Sequence, residues 1–245
     1  MPSIEQALIL AAGRGVRMGP RGELMPKGFI EVGGQTLIER SLGMLFAAGI
    51  EHVTVVTGHL ADRYEALAER HDGRVRCIHN IQFAARGSLE SLRVGLGEVQ
   101  GPCLLLESDL FYEARALDAV LADETQDIIL VSGPTGAGDE VYVWTEPSNG
   151  RARFRHMSKR PADLPDRHTG ELVGIVRLSS QLQQGILDHV AQAPENADYE
   201  CGLVAVSKSF DITCVKIDDL LWGEIDDETM LERVTQVIWR QLSDR

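Results

Sequence analysis

Leu8 to Lys27 reads LILAAGRGVRMGPRGELMPK, and the rest of the chain is arranged around this stretch. Ala7 to Ala12 is a continuous apolar run closed by Gly13 and Gly15. That is the pattern of a strand buried on both faces that empties into a glycine loop. Glycines let the backbone turn sharply and bring its N–H groups close to a ligand. Arg14 and Arg17 add fixed positive charge suited to phosphate oxygens. Met25-Pro26-Lys27 follows, and an extended backbone at the proline sets up the lysine. A polyphosphate fits between the loop and Lys27. On the glycines alone, a tight strand exit with solvated arginines reads equally well. The dinucleotide fingerprint needs a small residue three positions after the second glycine, where Met18 stands. A loop ending Gly-Lys-Ser/Thr is absent.

Outward from this loop, apolar periodicity alternates between strand and helix. Phe29 to Val32 reads as a short strand turned by Gly33-Gly34. Thr36 to Ala48 has helical spacing, His52 to Thr57 reads as a strand, Ala61 to His71 as a helix and Arg74 to His79 as a strand. This alternation predicts an α/β protein with a parallel sheet and ligands at the carboxyl ends of the strands. Asn80 to Leu96, NIQFAARGSLESLRVGL, is a polar loop and a helix. Ser88 suits an N-cap there, and Arg86, Gly87 and Ser88 also suit the face of a nucleotide base. Pro102 to Leu106 is a strand ending at Glu107-Ser108-Asp109. Asp109 is placed either to bind magnesium carried by a triphosphate or simply to sit in solvent.

The second half departs from strict alternation. After the helix Arg115 to Leu121 and the strand Ile128 to Ser132, Ser148-Asn149-Gly150 separates two β-rich runs, a strong hairpin signal. Pro161 to Thr169 is a candidate lid within a hairpin-and-lid insertion at about 133–169. Gly170 to Leu178 and Thr213 to Ile217 read as strands, and Gln181 to Ala193 and Tyr199 to Ser207 as helices. Glu228 to Leu242 is expected as one continuous helix, with Asp226 as its N-cap. A metal ligand is the other reading of Asp226. One domain, 1–245, accounts for the pattern.

The chain has 245 residues, 44% of them hydrophobic and 25% charged, ordinary for a globular protein with a full core. A formal net charge of −13 argues against a general nucleic-acid or anionic-membrane binder, so anionic substrates need a local basic cluster. No apolar run is long enough to span a bilayer, and MPSIEQ lacks the basic start and apolar core of a signal peptide. Cys77, Cys103, Cys201 and Cys214 have no metal or redox spacing and read as reduced core residues, so a cytoplasmic protein is expected.

Several stretches together resemble the nucleotidyltransferases that join an NTP to a phosphorylated small molecule. They are Leu8-x-Leu-Ala-Ala-Gly-x-Gly15, Pro26-Lys27-Gly28-Phe29, Leu104 to Tyr112 (LLLESDLFY), Gly138 to Tyr142 (GDEVY), Met157-Ser158-Lys159, Gly170 to Ile175 (GELVGI) and Trp222 to Asp227 (WGEIDD). Their order resembles the cytidylyltransferase branch that acts on phosphonates and phosphocholine-like acceptors. The resemblance implies a Rossmann-like nucleotidyltransferase fold, a mixed, mostly parallel central sheet flanked by helices. It also implies CTP as donor and magnesium as cofactor. Ala11, Ala12, Gly13, Arg14, Gly15, Arg17 and Lys27 are then expected at the triphosphate, with Arg86, Gly87 and Ser88 at the base. Asp109 and Asp226 are expected as metal ligands, Lys27, Arg17 and Lys159 as the catalytic set, and Lys159 at the acceptor. No Ser/His/Asp constellation is needed, because the attacking oxygen is already anionic.

The acceptor is less defined. Choline calls for an aromatic cage, and Tyr142, Tyr199 and Trp222 are the few candidates in a chain with 5% aromatic residues. A primary amine pairs with Asp139 or Glu140, and a carboxylated phosphonate with Arg160 or Arg167. A sugar-1-phosphate nucleotidyltransferase and a non-catalytic nucleotide-binding regulator are the alternatives, and a homodimer is open.

Overall fold

The computed structural model describes residues 4–244. Met1, Pro2 and Ser3, part of the segment read above for a leader, lie outside the described residues, as does Arg245. The opening apolar run forms β1 (Gln6–Ala11), buried from Ala7 onward. After α1 (Pro20–Leu24) come β2 (Glu31–Val32) and β3 (Gln35–Thr36), joined through Gly33 and Gly34 at φ 64° and 82°. Thr36 caps α2 (Leu37–Ala47), its hydroxyl accepting from the Glu39 N–H and donating to the Glu39 carboxylate. β4 (His52–Thr57), α3 (Ala61–Ala68), β5 (Val75–His79), α4 (Ser88–Leu96) and β6 (Cys103–Glu107) complete the regular half.

The second half runs β7 (Leu110–Tyr112), α5 (Arg115–Ala122), β8 (Ile128–Ser132), β9 (Tyr142–Ser148), β10 (Arg151–Ser158), β11 (Gly170–Leu178), α6 (Ser180–Val190), α7 (Tyr199–Val206), β12 (Thr213–Ile217) and β13 (Trp222–Glu224). The chain closes with α8 (Glu228–Arg233), a π turn (Val234–Ile238) and α9 (Trp239–Ser243). Asn149 at φ 50° and Gly150 at φ 76° turn the β9–β10 hairpin in the left-handed region expected of Asn-Gly.

The nine-stranded sheet has the order β5-β4-β1-β6-β11-β8-β12-β10-β9. β11 and β10 run against the other strands, so the sheet is mixed and mostly parallel. Side chains alternate along each strand. Leu8 and Leu10 join Leu89, Leu92, Leu182 and Leu203 of α4, α6 and α7 on one face. Ala7 and Ile9 join Ile38, Leu42, Tyr64 and Leu117 of α2, α3 and α5 on the other. Each fully buried leucine contributes roughly 1.5–3 kcal/mol, and the helical layers on both faces explain why β1 is apolar throughout rather than alternating.

The last helix runs from Glu228 to Ser243 without interruption, as expected, but carries a π turn in its middle. Trp239 meets Phe111 edge-on with ring centroids 6.2 Å apart and lies so close over Gly33 that a side chain there has no room. Val234 and Ile238 pack against Gly223 in the same turn. The extra residue of a π turn re-aims one helix face to meet both demands.

Candidate active site

The crevice lies at the carboxyl end of β1, where the loop turns through Gly15 at φ 59°. Gly22 lies against the Gly15 carbonyl, where a Cβ has no room, so the loop folds back onto α1. The aliphatic stem of Lys27 passes beside Gly15. Pro26 is extended at ψ 147°, and Lys27 opens a single 3₁₀ turn that sends its side chain inward. The Lys27 ammonium donates to Asp226 Oδ1 at 2.6 Å and pairs closely with Asp109 Oδ2. Burial opposes the charge on Lys27, but the two carboxylates outweigh it and hold the lysine above its ordinary pKa.

Asp109 and Asp226 are far apart in sequence. They meet because β13 pairs antiparallel with β7, Glu224 opposite Leu110, and the Ile225 N–H donates to the Asp109 carbonyl at 3.1 Å. Asp226 is not the helix cap. Asp227 caps α8, its Oδ1 accepting from the Met230 N–H at 2.9 Å. Asp226 Oδ2 instead receives Arg17 Nη2 at 2.7 Å, while Arg17 Nη1 pairs with Asp139. Lys159 Nζ reaches the other Asp139 oxygen at 3.3 Å. Hence Asp227→Ala removes a cap worth about 1 kcal/mol and lowers Tm by about 2–4 °C. Turnover in that variant stays close to wild type, as melting curves and steady-state assays will show.

One cavity of about 320 Å³ gathers Ala11, Ala12, Gly13, Arg17, Lys27, Arg86, Gly87, Ser88, Asp109, Lys159 and Asp226. Several expected residues fall outside it, Asp139, Tyr142, Arg167 and Trp222 among them. Arg14 is exposed at the surface, and Gly15 serves the turn rather than the cavity wall. Glu140 bends back on its own loop, accepting from the Gly138 N–H at 2.9 Å and the Tyr142 hydroxyl at 3.3 Å. Arg160 is 80% exposed and pairs with Asp163 at 3.0 Å, because i,i+3 partners in a short loop satisfy each other locally.

The candidate lid is fastened to the hairpin. Trp144 Nε1 donates to the Asp166 carbonyl at 2.8 Å, and Arg155 pairs with Asp166 at 2.5 Å. None of Pro161 to Thr169 lines the main cavity. Ser88 begins α4 without capping it; its hydroxyl accepts from the Tyr199 N–H at 2.9 Å and so caps α7 from outside. Cys201 is exposed and Cys77 half-buried, so only Cys103 and Cys214 are core thiols.

Tyr199, expected only as a cage candidate, also lines the cavity, as do Tyr64, Phe83, Glu107, Glu200 and Glu224, which were missed in the sequence. Glu107 and Glu224 carry a readable signal: each lies two residues before an expected ligand, so on an extended strand it shares that ligand's face. Glu107 accepts from the Tyr199 hydroxyl at 2.9 Å. Burial, with the Glu224 and Asp109 charges adding, pushes the Glu107 carboxyl well above its usual range. Burial beside Asp109 and Asp226 raises Glu224 to about 8.

The donor set suits a hard cation. Among the described residues no group of three or more His, Cys, Asp or Glu side chains converges at metal-binding distance. Magnesium that arrives with a triphosphate needs only one or two protein carboxylates, the rest of its shell being phosphate oxygens and water. Asp109 and Asp226 already converge on one cation, the Lys27 ammonium, and so fit that requirement.

The sheet and this crevice have the architecture of the Rossmann-like nucleotidyltransferases. Residues 7–163 match the MobA-like NTP transferase domain, and the chain belongs to that family. A 2-aminoethylphosphonate cytidylyltransferase from Lancefieldella rimae is 33% identical over 105 residues, 42% of this chain and 42% of that protein. The aligned segment thus spans less than half the length of this relative. CTP:phosphocholine cytidylyltransferase from Streptococcus pneumoniae superposes with a TM-score of 0.78 at 18% identity, over 96% of this chain and 100% of that one. The inositol-1-phosphate CTP transferase of T. maritima gives 0.82 at 17% identity, over 99% and 97%. At these identities the two structures establish the fold.

Proposed function

We propose that the protein is a magnesium-dependent cytidylyltransferase that transfers CMP from CTP to a small phosphonate and releases pyrophosphate. The observation that carries the reading is Lys27 held between Asp109 and Asp226 on the wall of a cavity reached by the glycine loop. Cytidine as the nucleoside and a phosphonate as acceptor are supported by the similarity to the aminoethylphosphonate enzyme.

In this reading a phosphonate oxygen forms a bond to the α-phosphorus of CTP. The bond from that phosphorus to the bridging oxygen breaks, and pyrophosphate leaves with the electron pair. Asp109 and Asp226 would hold magnesium, which when bound neutralises charge on the phosphates. Gly13 backbone and Arg17 hold the triphosphate, and Lys27 meets charge developing on the transferring group. Lys159 holds the phosphonate. No side chain has to remove a proton, so positioning and charge neutralisation supply the rate. Arg86, Gly87 and Ser88 face the base, on a segment clamped by the Gly87 N–H to the Glu195 carbonyl at 2.9 Å.

Phosphocholine ranks lower. Of the cage candidates, Tyr142 lies against His168 at 4.5 Å, Trp222 is buried away from the cavity, and Tyr199 is held by Glu107. Of these three candidates only Tyr199 lines the main cavity, so the cage read from the sequence is not assembled there.

Pyrophosphate release with each of the four NTPs against aminoalkyl phosphonates, a carboxylated phosphonate, phosphocholine and a sugar 1-phosphate tests the reading. CTP with a phosphonate is expected to give the highest kcat/KM, and Lys159→Ala to raise the acceptor KM with the CTP KM little changed. A preference for a sugar 1-phosphate, or no turnover with any pair, overturns it.

A further inference from the structure

Glu140 and Arg160, the residues expected to read the far end of the acceptor, do not reach the cavity. Another residue does. Glu200 stands on the first turn of α7, which the Ser88 hydroxyl ties to the nucleotide-side loop through the Tyr199 N–H. It lines the main cavity and also a neighbouring one of about 460 Å³, with Lys159 at the same junction. Its Oε2 is buried and has no hydrogen-bond partner.

Most of the surrounding acids are engaged, and Glu224, which also lines the main cavity, does not reach the neighbouring one. Asp109 and Asp226 hold Lys27, Asp139 holds Arg17 and Lys159, and Glu107 accepts from Tyr199. Asp198 is exposed and receives the Ser88 hydroxyl at 3.4 Å. A buried acceptor without a donor is costly and is satisfied by an incoming group that carries N–H bonds and positive charge. The neighbouring cavity is walled in part by Met157, Val204 and Ala205, which suits a short alkyl chain. His156 is its only ring among the described residues, so a trimethylated nitrogen finds no cage, whereas a primary ammonium can donate directly.

We propose that Glu200 is the counter-ion for a primary ammonium at the far end of the acceptor, so that the site selects short ω-aminoalkyl phosphonates. The proposal rests on the phosphonate reading above. Lys159 takes the phosphonate and Glu200 the amine, one at each end of a short zwitterion. Burial first, with Asp198 adding, lifts the Glu200 carboxyl to about 7, as fits a carboxylate whose partner arrives with the ligand.

The test measures calorimetric binding of 2-aminoethylphosphonate and ethylphosphonate to wild type, Glu200→Gln and Glu200→Asp, with CTP-dependent pyrophosphate release followed in parallel. Wild type should favour the amine by about 10-fold or more. Glu200→Gln should erase that preference by weakening the amine alone, and Glu200→Asp should keep part of it. Circular dichroism monitors folding, and the charge-retaining Asp variant carries the comparison if Gln misfolds. Absence of a preference in wild type, or an equal loss for both ligands in the variants, overturns the proposal. A Glu200-dependent preference without pyrophosphate release would sink the cytidylyltransferase reading and leave the ammonium site standing.

Discussion

Lys27→Ala is expected to lower kcat by about 10²–10³-fold or more, the loss found when one preorganised charge-stabilising donor is removed. Arg21→Ala, in α1 between the glycine loop and Lys27, should stay within about twofold of wild type, since an exposed pair of this kind contributes little. Arg21 pairs with Glu228 at 2.7 Å on the surface, away from the cavity. Lys27 meets both carboxylates inside it. Its removal also leaves Asp109 without a counter-charge beside Asp226, which keeps only Arg17, and a buried pair broken in this way costs roughly 3–5 kcal/mol. Magnesium should therefore raise the Tm of Lys27→Ala more than that of wild type. Equal small losses in the two alanine variants would reduce the loop to bulk attraction of anions. A magnesium response identical to wild type would remove Asp109 and Asp226 as the cation site.

Asp109→Asn and Asp226→Asn should each reduce magnesium-dependent kcat/KM by several orders of magnitude while the far-ultraviolet spectrum stays native. Removing one carboxylate takes away several kcal/mol of charge stabilisation at the transferring phosphate. The two variants should differ in their structural cost. Asp226 serves both Arg17 and Lys27, so its loss loosens the glycine loop as well. Asp109 pairs with Lys27 and anchors Ile225 through its backbone, which the substitution keeps. Asp227→Ala is the contrast: a lower Tm with activity retained. If Asp226→Asn reproduces that pattern, Asp226 is structural and the proposed metal site is wrong.

Much of the architecture was legible in residue order. β4, β8, β11 and β12 begin and end where their apolar runs do, and Asn149-Gly150 turns the hairpin. Such runs admit few alternatives, because a period of two, a closing glycine and a positive φ are local requirements. The glycine loop and the Pro-Lys pair were legible for the same reason. The π turn within the last helix was not, since Gly33, Phe111 and Trp239 meet only once the layers have packed. Nor was Ser88, whose local spacing fits a cap for α4 while its hydroxyl serves α7.

The sequence by itself determined the class of fold, the glycine loop with Lys27, and two acids at element ends. It put Asp226 at the helix cap, with a metal ligand as the other reading, and Asp227 inside the first turn, because a carboxylate at either place suits the start of a helix. Only tertiary structure separated them, when β13 paired with β7 and turned one acid toward Lys27 and the other toward the Met230 N–H. The proposed acceptor side rests on placement of the same kind. Glu140 and Arg160 found partners within their own loops, whereas Glu200 was carried to the cavity by a helix from a distant part of the chain. Local sequence records what a residue can bond to nearby, and the packing of helices on the sheet decides which groups are left facing the cavity.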